Sequence, residues 1–247
     1  MSGKYMKNII HYNKQYEQGD LCLWLDLSTY CNARCPQCHR TDPKTSGKVD
    51  WLPLMSWSLK QFKTAFPPKT LEHTNQINFC GTLGDPIMAK DIFEICEYII
   101  KESKCYIIIN TNGSMRTEFW WQHLSYIIGY DRGHMIFDID GSTQEMHEFY
   151  RQKTNLNKII KNMKAYSLYG HAGVFTVVFK HNENHLKEIH KMVDDVIGDH
   201  YHLFVPSDRA HHIEKFEFYK NGKAQFLEHS PKYGLSAQRT HLEIGDL

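Results

Sequence analysis

Six short apolar runs, helical periodicity between them, and a Gly-, Asn- or Asp-bearing turn after successive runs predict an α/β fold. The architecture that fits is a partial (β/α)6 TIM-like barrel of parallel strands with a short C-terminal extension. Strands that alternate with helices imply crossover connections, and six units fall short of a closed eight-stranded barrel.

Residues 21–27 (LCLWLDL) read as the first strand and run straight into a loop holding three cysteines. The pattern predicts a helix over 57–66, stopped by Pro67-Pro68, which cannot continue it. A second strand over 77–80 ends in Gly81-Thr82-Leu83-Gly84-Asp85-Pro86. Ile92, Ile95, Cys96 and Ile99 then recur at helical spacing within 91–100. The third strand, 105–109, closes on Asn110-Thr111-Asn112-Gly113 and precedes a helix over 117–128. The fourth, 135–139, ends at Asp140-Gly141-Ser142, and a helix over 156–168 follows. The fifth strand is 174–179, the last helix 184–197, and the sixth strand 201–205, before Pro206. Residues 207–247 break the alternation; they are polar and His-rich, with one possible strand over 215–219. The expected organisation is an N-terminal segment 1–20, a core 21–205 and an extension 206–247 packed on that core. In such sheets ligands bind at the carboxyl ends of the strands, where each of these turns falls.

The 247 residues are 41% hydrophobic and 23% charged, an ordinary globular balance. With 29 basic against 28 acidic residues the net charge is +1, which argues against bulk electrostatic binding to nucleic acid or an anionic membrane. Residues 1–20 lack the apolar core of a signal peptide, and no run approaches bilayer length, so a soluble, cytoplasmic protein is expected. The 7 cysteines are odd in number and not spread like a disulfide framework, which suits a reducing compartment.

The strongest chemical signal is Cys31-Asn32-Ala33-Arg34-Cys35-Pro36-Gln37-Cys38, three thiols at C-x3-C-x2-C on one short loop. Thiolates are the ligands of iron–sulfur clusters, and three of them on a cubane leave one iron open, as a catalytic site requires. Arg34, His39 and Arg40 stand by to offset the negative charge. Zinc is the competing metal, with His39 or a distant cysteine as fourth ligand. Structural zinc usually takes two separated pairs, and the chain has no second C-x2-C. Asn, Arg and Gln between the cysteines do not describe an inert core.

This loop after a first strand, followed by β/α units, resembles the radical S-adenosylmethionine (SAM) superfamily over about residues 21–205. The wording of the loops is most similar to the lineage that often carries a SPASM or twitch auxiliary-cluster domain. The resemblance implies a 4Fe-4S cluster on Cys31, Cys35 and Cys38 and S-adenosylmethionine as second cofactor. It implies reductive cleavage to a 5′-deoxyadenosyl radical that takes hydrogen from substrate, and a reductant such as flavodoxin or ferredoxin. No cysteine follows Cys105, so a single cluster is expected, without the auxiliary ones of that lineage. Gln37 departs from the aromatic residue common before the third cysteine, so an adenine contact there falls to backbone.

The other loops carry the same resemblance. Gly81 to Pro86, with Gly84 and Asp85, looks like the Gly-Gly-Glu-Pro turn whose carbonyls receive the methionine ammonium; glycine permits the close approach. Thr111-Asn112-Gly113 looks like the turn serving the nucleoside side, and an ordinary Asn-Gly turn is its bland alternative. Asp138 occupies the position that contacts ribose, Asp140 is expected beside the cofactor or only as a cap on the turn, and Arg151 is expected to pair with the methionine carboxylate through its planar fork. A solvated arginine at a helix start is the alternative for Arg151.

Among the 16 histidines, His181, His185, His190, His200, His202, His211, His212, His229 and His241 crowd toward the C-terminus. Their spacing shows no convergence on a second metal, and they are expected on surfaces and loops. Cys22, Cys80, Cys96 and Cys105 are expected as small core residues, and Trp51, Trp57, Trp120 and Trp121 as packing. A peptide or protein is the first substrate class by lineage. A small molecule or nucleobase precursor, as in compact 7-carboxy-7-deazaguanine synthases, is the second. A non-catalytic zinc or iron–sulfur module is the alternative outside enzymes. Compact members also look like some bacteriophage-encoded versions, which adds a phage-infected host to the possible compartments.

Overall fold

A computed structural model describes residues 21–207 and 215–233. The N-terminal segment 1–20 and His211, His212 and His241 lie outside the described residues. In chain order the elements are β1 (Leu21–Leu25), α1 (Leu59–Ala65), α2 (Pro68–Glu72), β2 (Thr74–Phe79), α3 (Ile92–Glu102), β3 (Tyr106–Thr111), α4 (Glu118–Ile128) and β4 (Gly133–Asp138). There follow α5 (Gln144–Tyr150), α6 (Leu156–Tyr166), β5 (His171–Val178), α7 (Leu186–Ile197), β6 (Tyr201–Pro206), β7 (Lys215–Lys220) and β8 (Lys223–Glu228).

β1 to β6 form one parallel sheet in sequence order, the singly wound arrangement of a partial barrel. The expected fold class holds. Right-handed crossovers in an unreversed order put the helices on one face of the sheet. The register explains the core: Ile77 pairs with Ile107, Phe79 with Ile109, Ile109 with Met135, and Phe137 with Val174. All are fully buried and share one cluster with Ile95 and Ile99 of α3, Trp121 of α4, Ile159 of α6 and Ile189 of α7. Burying each such side chain stabilises by roughly 1.5–3 kcal/mol.

Local chemistry sets the helix starts. Ser58 and Gln61 form a reciprocal cap on α1, while Thr117, Thr143 and Asn155 accept from the first-turn amides of α4, α5 and α6. Pro67-Pro68 does end α1, yet Pro68 also opens α2, because a first-turn proline loses no hydrogen bond. α5 has no counterpart in the periodicity; at seven residues it is too short to show one. Beyond the sheet, the strand expected at 215–219 is present as β7, paired antiparallel with β8 around Asn221-Gly222. Both turn residues have positive φ, as the tight hairpin connection requires. The hairpin docks against the core through Tyr219 N–H to Pro43 O at 2.7 Å and Lys180 N–H to Glu228 O at 3.0 Å. No helix among the described residues is long and apolar enough to cross a membrane.

Trp121 is fully buried and Trp57 and Trp120 pack against the core, but Trp51 is exposed, so it is not the packing residue expected. Cys96 and Cys105 are core residues as expected. Cys22 and Cys80 are only half-buried, and the Cys22 sulfur accepts the amide donors of Gln76 and Asn78 across β1 and β2.

Candidate active site

Cys31, Cys35 and Cys38 lie on the loop leaving the carboxyl end of β1, all three as free thiols. They share a cluster with Ala33, Tyr150, Val177 and Phe179, and with Phe218 and Leu227 of the β7–β8 hairpin. Arg40 organises the loop from within. Its buried guanidinium donates to the carbonyls of Thr29, Cys31 and Ala33, and Arg34 adds donors to Cys31 and Ala33. Two of the three cations expected near the cysteines thus act on the loop's carbonyls, while His39 is exposed.

Each cysteine meets a turn from a different strand. Thr82, after β2, places its carbonyl oxygen 4.0 Å from Cys38 Sγ. Asn112, after β3, has Nδ2 3.6 Å from Cys31 Sγ. Arg151, at the end of α5 after β4, has Nη1 3.9 Å from Cys35 Sγ. Burial pushes the Cys35 thiol up to about 11 against the opposing pull of Arg151. Burial, then Asp85 and Cys35, raise the Cys31 thiol further, with Arg40 opposing. The two thiols therefore keep their protons at neutral pH until a metal displaces them.

Gly84 is where the β2 turn meets the cysteine loop: a side chain there would place Cβ 1.8 Å from Ser28 O. Asp85 N–H donates to Tyr30 O at 2.8 Å, closing the same contact. The Asp85 carboxylate is buried and accepts from the Thr111 hydroxyl at 2.9 Å, the Asn112 amide N–H at 2.9 Å, Asn112 Nδ2 at 2.5 Å and Ile87 N–H at 3.2 Å. Burial raises its pKa and these donors oppose the rise. Asp85, Thr111 and Asn112 are thus spent on one another, joining two turns. Asn32 completes the link, donating to Ser114 Oγ at 2.8 Å and accepting from Asn112 at 3.1 Å.

Arg151 is not a solvated helix-start residue; it caps the C-terminus of α5 and is buried. Asp138 Oδ2 lies 3.0 Å from Nη1 and Asp140 Oδ2 lies 2.5 Å from Nε. Burial works to lower its pKa, but the two carboxylates outweigh it and hold the guanidinium well above its ordinary value. The carboxylates differ: the Asp138 side chain is 19% exposed and Asp140 is 0%. Asp140 spends its other oxygen on Val177 N–H at 2.6 Å, and its own amide donates to His147 Nδ1 at 3.2 Å. Both Asp140 oxygens are thus engaged internally, and the residue positions Arg151, in keeping with the alternative that it holds the turn. Asn32, Ser114 and His147 escaped the sequence reading as site residues, and Arg40, expected there for its charge, acts as the loop's internal donor; nothing local marks these partners. Gln37 Oε1 accepts from Ser207 beyond β6.

The family model of the radical SAM superfamily matches residues 25–193, more than half of the 247. The chain belongs to the radical SAM superfamily. That family works with a 4Fe-4S cluster and S-adenosylmethionine. The residues present fit the cluster: three free thiols on one loop, apolar packing behind them, and three guanidinium groups around them. No curated protein matches the chain by sequence. Among solved structures, anSMEcpe with bound AdoMet is similar at TM-score 0.56 and 19% identity, covering 74% of this chain and 50% of that one. Streptococcus suis SuiB bound to precursor peptide SuiA is similar at TM-score 0.54 and 15% identity, covering 77% and 39%. At these identities the likeness is one of fold, and the radical SAM chain described here spans half or less of those proteins.

Proposed function

We propose that the chain is a one-cluster radical SAM enzyme with Cys31, Cys35 and Cys38 as the iron ligands. Bound there, the cluster and S-adenosylmethionine would supply, with one electron from an external reductant, cleavage of the sulfonium to methionine and a 5′-deoxyadenosyl radical able to take hydrogen from substrate. The observation that carries this reading is that groups from three successive crossovers, two strand-end turns and the end of α5, each meet a different cysteine sulfur. A structural metal loop needs no such convergence, and it argues against the non-catalytic module.

The chain's own residues divide the work. Arg151, fixed beside Cys35 by Asp138 and Asp140, is the partner for the methionine carboxylate. Backbone carbonyls of the Gly81–Asp85 turn, with Thr82 O beside Cys38, receive the ammonium. Asp138, the more accessible carboxylate of the pair, serves the ribose hydroxyls. Gly84, Asp85, Thr111 and Asn112 are positioning residues that hold the turns to the cysteine loop. The phenyl rings of Phe179 and Phe218 and the Val177 side chain exclude water behind it. A peptide or protein is the favoured substrate class: SuiB has been solved with a precursor peptide and anSMEcpe with AdoMet and the Cp18Cys peptide.

The test is anaerobic purification with cluster reconstitution. Brown protein with about four irons per chain, releasing 5′-deoxyadenosine when given dithionite and S-adenosylmethionine, is the expected result. Cys35→Ala should abolish both. Stoichiometric zinc on the cysteines and no nucleoside product would overturn the proposal.

A further inference from the structure

We infer that His190, His200 and His202 form a second metal site, fit for a zinc ion and separate from the cysteine loop. The three come from one α/β unit: His190 from α7, His200 from the turn that follows, and His202 from β6. Contrary to the sequence expectation, they converge. One ring nitrogen from each lies within 4.8 Å of those of the other two. His202 is the second residue of its strand, so the trio sits toward the amino-terminal rim of the parallel sheet, opposite the rim that carries the cysteines.

His190 Nδ1 and His202 Nδ1 are 3.3 Å apart. Nitrogens held tetrahedrally on zinc at ~2.0–2.1 Å are ~3.3 Å apart, so this pair already spans one edge of the polyhedron. His200 has at most ~1.5 Å to close to join them.

The surrounding hydrogen bonds fix which nitrogens carry lone pairs. Thr176 Oγ1 donates its single proton to Ile139 O at 2.5 Å, so it accepts from His202 Nε2 at 2.8 Å. That leaves His202 Nδ1 bare and accepting from His190 Nδ1–H at 3.3 Å; zinc would replace this N–H···N contact, with the His190 proton moved to Nε2. His200 Nδ1 donates to Gly198 O at 2.8 Å, leaving Nε2 bare. The His200 side chain is 1% exposed, and that Nε2 is buried with no hydrogen-bond partner among the described residues. Orientation of one ring nitrogen by a hydroxyl or backbone carbonyl, with the other left as a buried lone pair, is how proteins prepare imidazole for a metal. Three imidazoles suit zinc among the available divalent ions. Water would complete the coordination, since Asp194 Oδ1 stands 3.9 Å from His200 Nδ1, the nitrogen turned to Gly198 O. The ion would pin α7 to β6, the last strand of the sheet.

The test uses cluster-reconstituted protein passed over a chelating resin and then titrated with zinc chloride by calorimetry. One zinc per chain beyond the iron is expected, with a zinc-dependent rise in Tm. His190→Ala and His202→Gln should each weaken zinc binding more than about a hundred-fold while leaving iron content and the cluster absorbance unchanged. Because His190 is half-exposed, its variant keeps the fold measurable even if the His202 variant does not. Zinc-edge X-ray absorption should show nitrogen and oxygen neighbours only. No saturable zinc binding, affinity unchanged in His190→Ala, or sulfur in the zinc shell would overturn the site. Sulfur would place the ion on the cysteines, a result that counts against the iron–sulfur reading as well, whereas loss of the histidine site alone leaves that reading intact.

Discussion

Asp140→Asn tests whether Arg151 is placed by its buried carboxylate. The substitution keeps size and shape, and one oxygen can still accept Val177 N–H, now at 2.6 Å. The new NH2 then faces Arg151 Nε, donor against donor, where a carboxylate oxygen stood at 2.5 Å. Removing one partner of a buried ion pair costs ~3–5 kcal/mol. Asp138, 3.0 Å from Nη1, still neutralises the guanidinium, which puts the loss at the low end, ~3 kcal/mol. For a domain of this size that lowers Tm by ~6–12 °C. Asp138→Asn leaves the deeper carboxylate in place and removes a side chain 19% exposed, so its loss is ~1 kcal/mol, or ~2–4 °C. The assay is thermal and urea unfolding of both variants under anaerobic, reducing conditions. An Asp140→Asn shift below ~2 °C, or equal losses in the two variants, would refute the reasoning.

Gly84→Ala forces a methyl group into Ser28 O and should destabilise by ~3 kcal/mol while cutting iron retention, measured after desalting the reconstituted protein. An alanine variant that holds a full cluster would show that the turn does not have to touch the loop. His147 is fully buried, and burial, then Arg151, push its pKa down to about 3 from the ordinary 6.5. The unfolded chain therefore binds the extra proton first, so this contribution is complete above pH 6.5 and is lost as pH falls toward 3. At pH 5 the loss is ~2 kcal/mol. His147→Gln, whose amide oxygen can still accept from Asp140 N–H, should flatten the pH dependence of urea midpoints between 6.5 and 4; an unchanged slope would remove His147 from the acid response.

The features legible in the sequence were those encoded over short distances. Strand-length apolar runs and 3.6-residue periodicity gave all six sheet strands and the long helices, because a buried face repeats within one element. The cysteine spacing was legible for the same reason, since eight residues hold every ligand. The carboxylates were only half legible. Asp85, Asp138 and Asp140 were placed near the cofactor by position along the chain, but exposure divides them: Asp138 is accessible, while Asp85 and Asp140 are consumed by internal donors. Nothing in a one-dimensional pattern says which of two alternating carboxylates turns inward. The β7–β8 hairpin carried a readable mark, Asn221-Gly222, that the weak alternation of its strands obscured.

The histidine trio marks the limit from the other side. His190, His200 and His202 belong to a helix, a turn and a strand, and no fixed spacing brings those three elements to one point. Their convergence depends on how α7 lies against β6, which packing of Ile189 and Val193 in the core decides. A C-x3-C-x2-C loop states its chemistry locally because the loop itself does the gathering. A site gathered by tertiary packing states it only after the core is assembled. The same logic governs the cysteine loop one level up. The ligands are local, but the groups that meet their sulfurs, Thr82, Asn112 and Arg151, arrive from three separate crossovers. What distinguishes a catalytic cluster site from a metal-binding loop is therefore carried by the sheet: parallel strands in sequence order deliver successive turns to one rim, and the loop after β1 lies where they can all reach it.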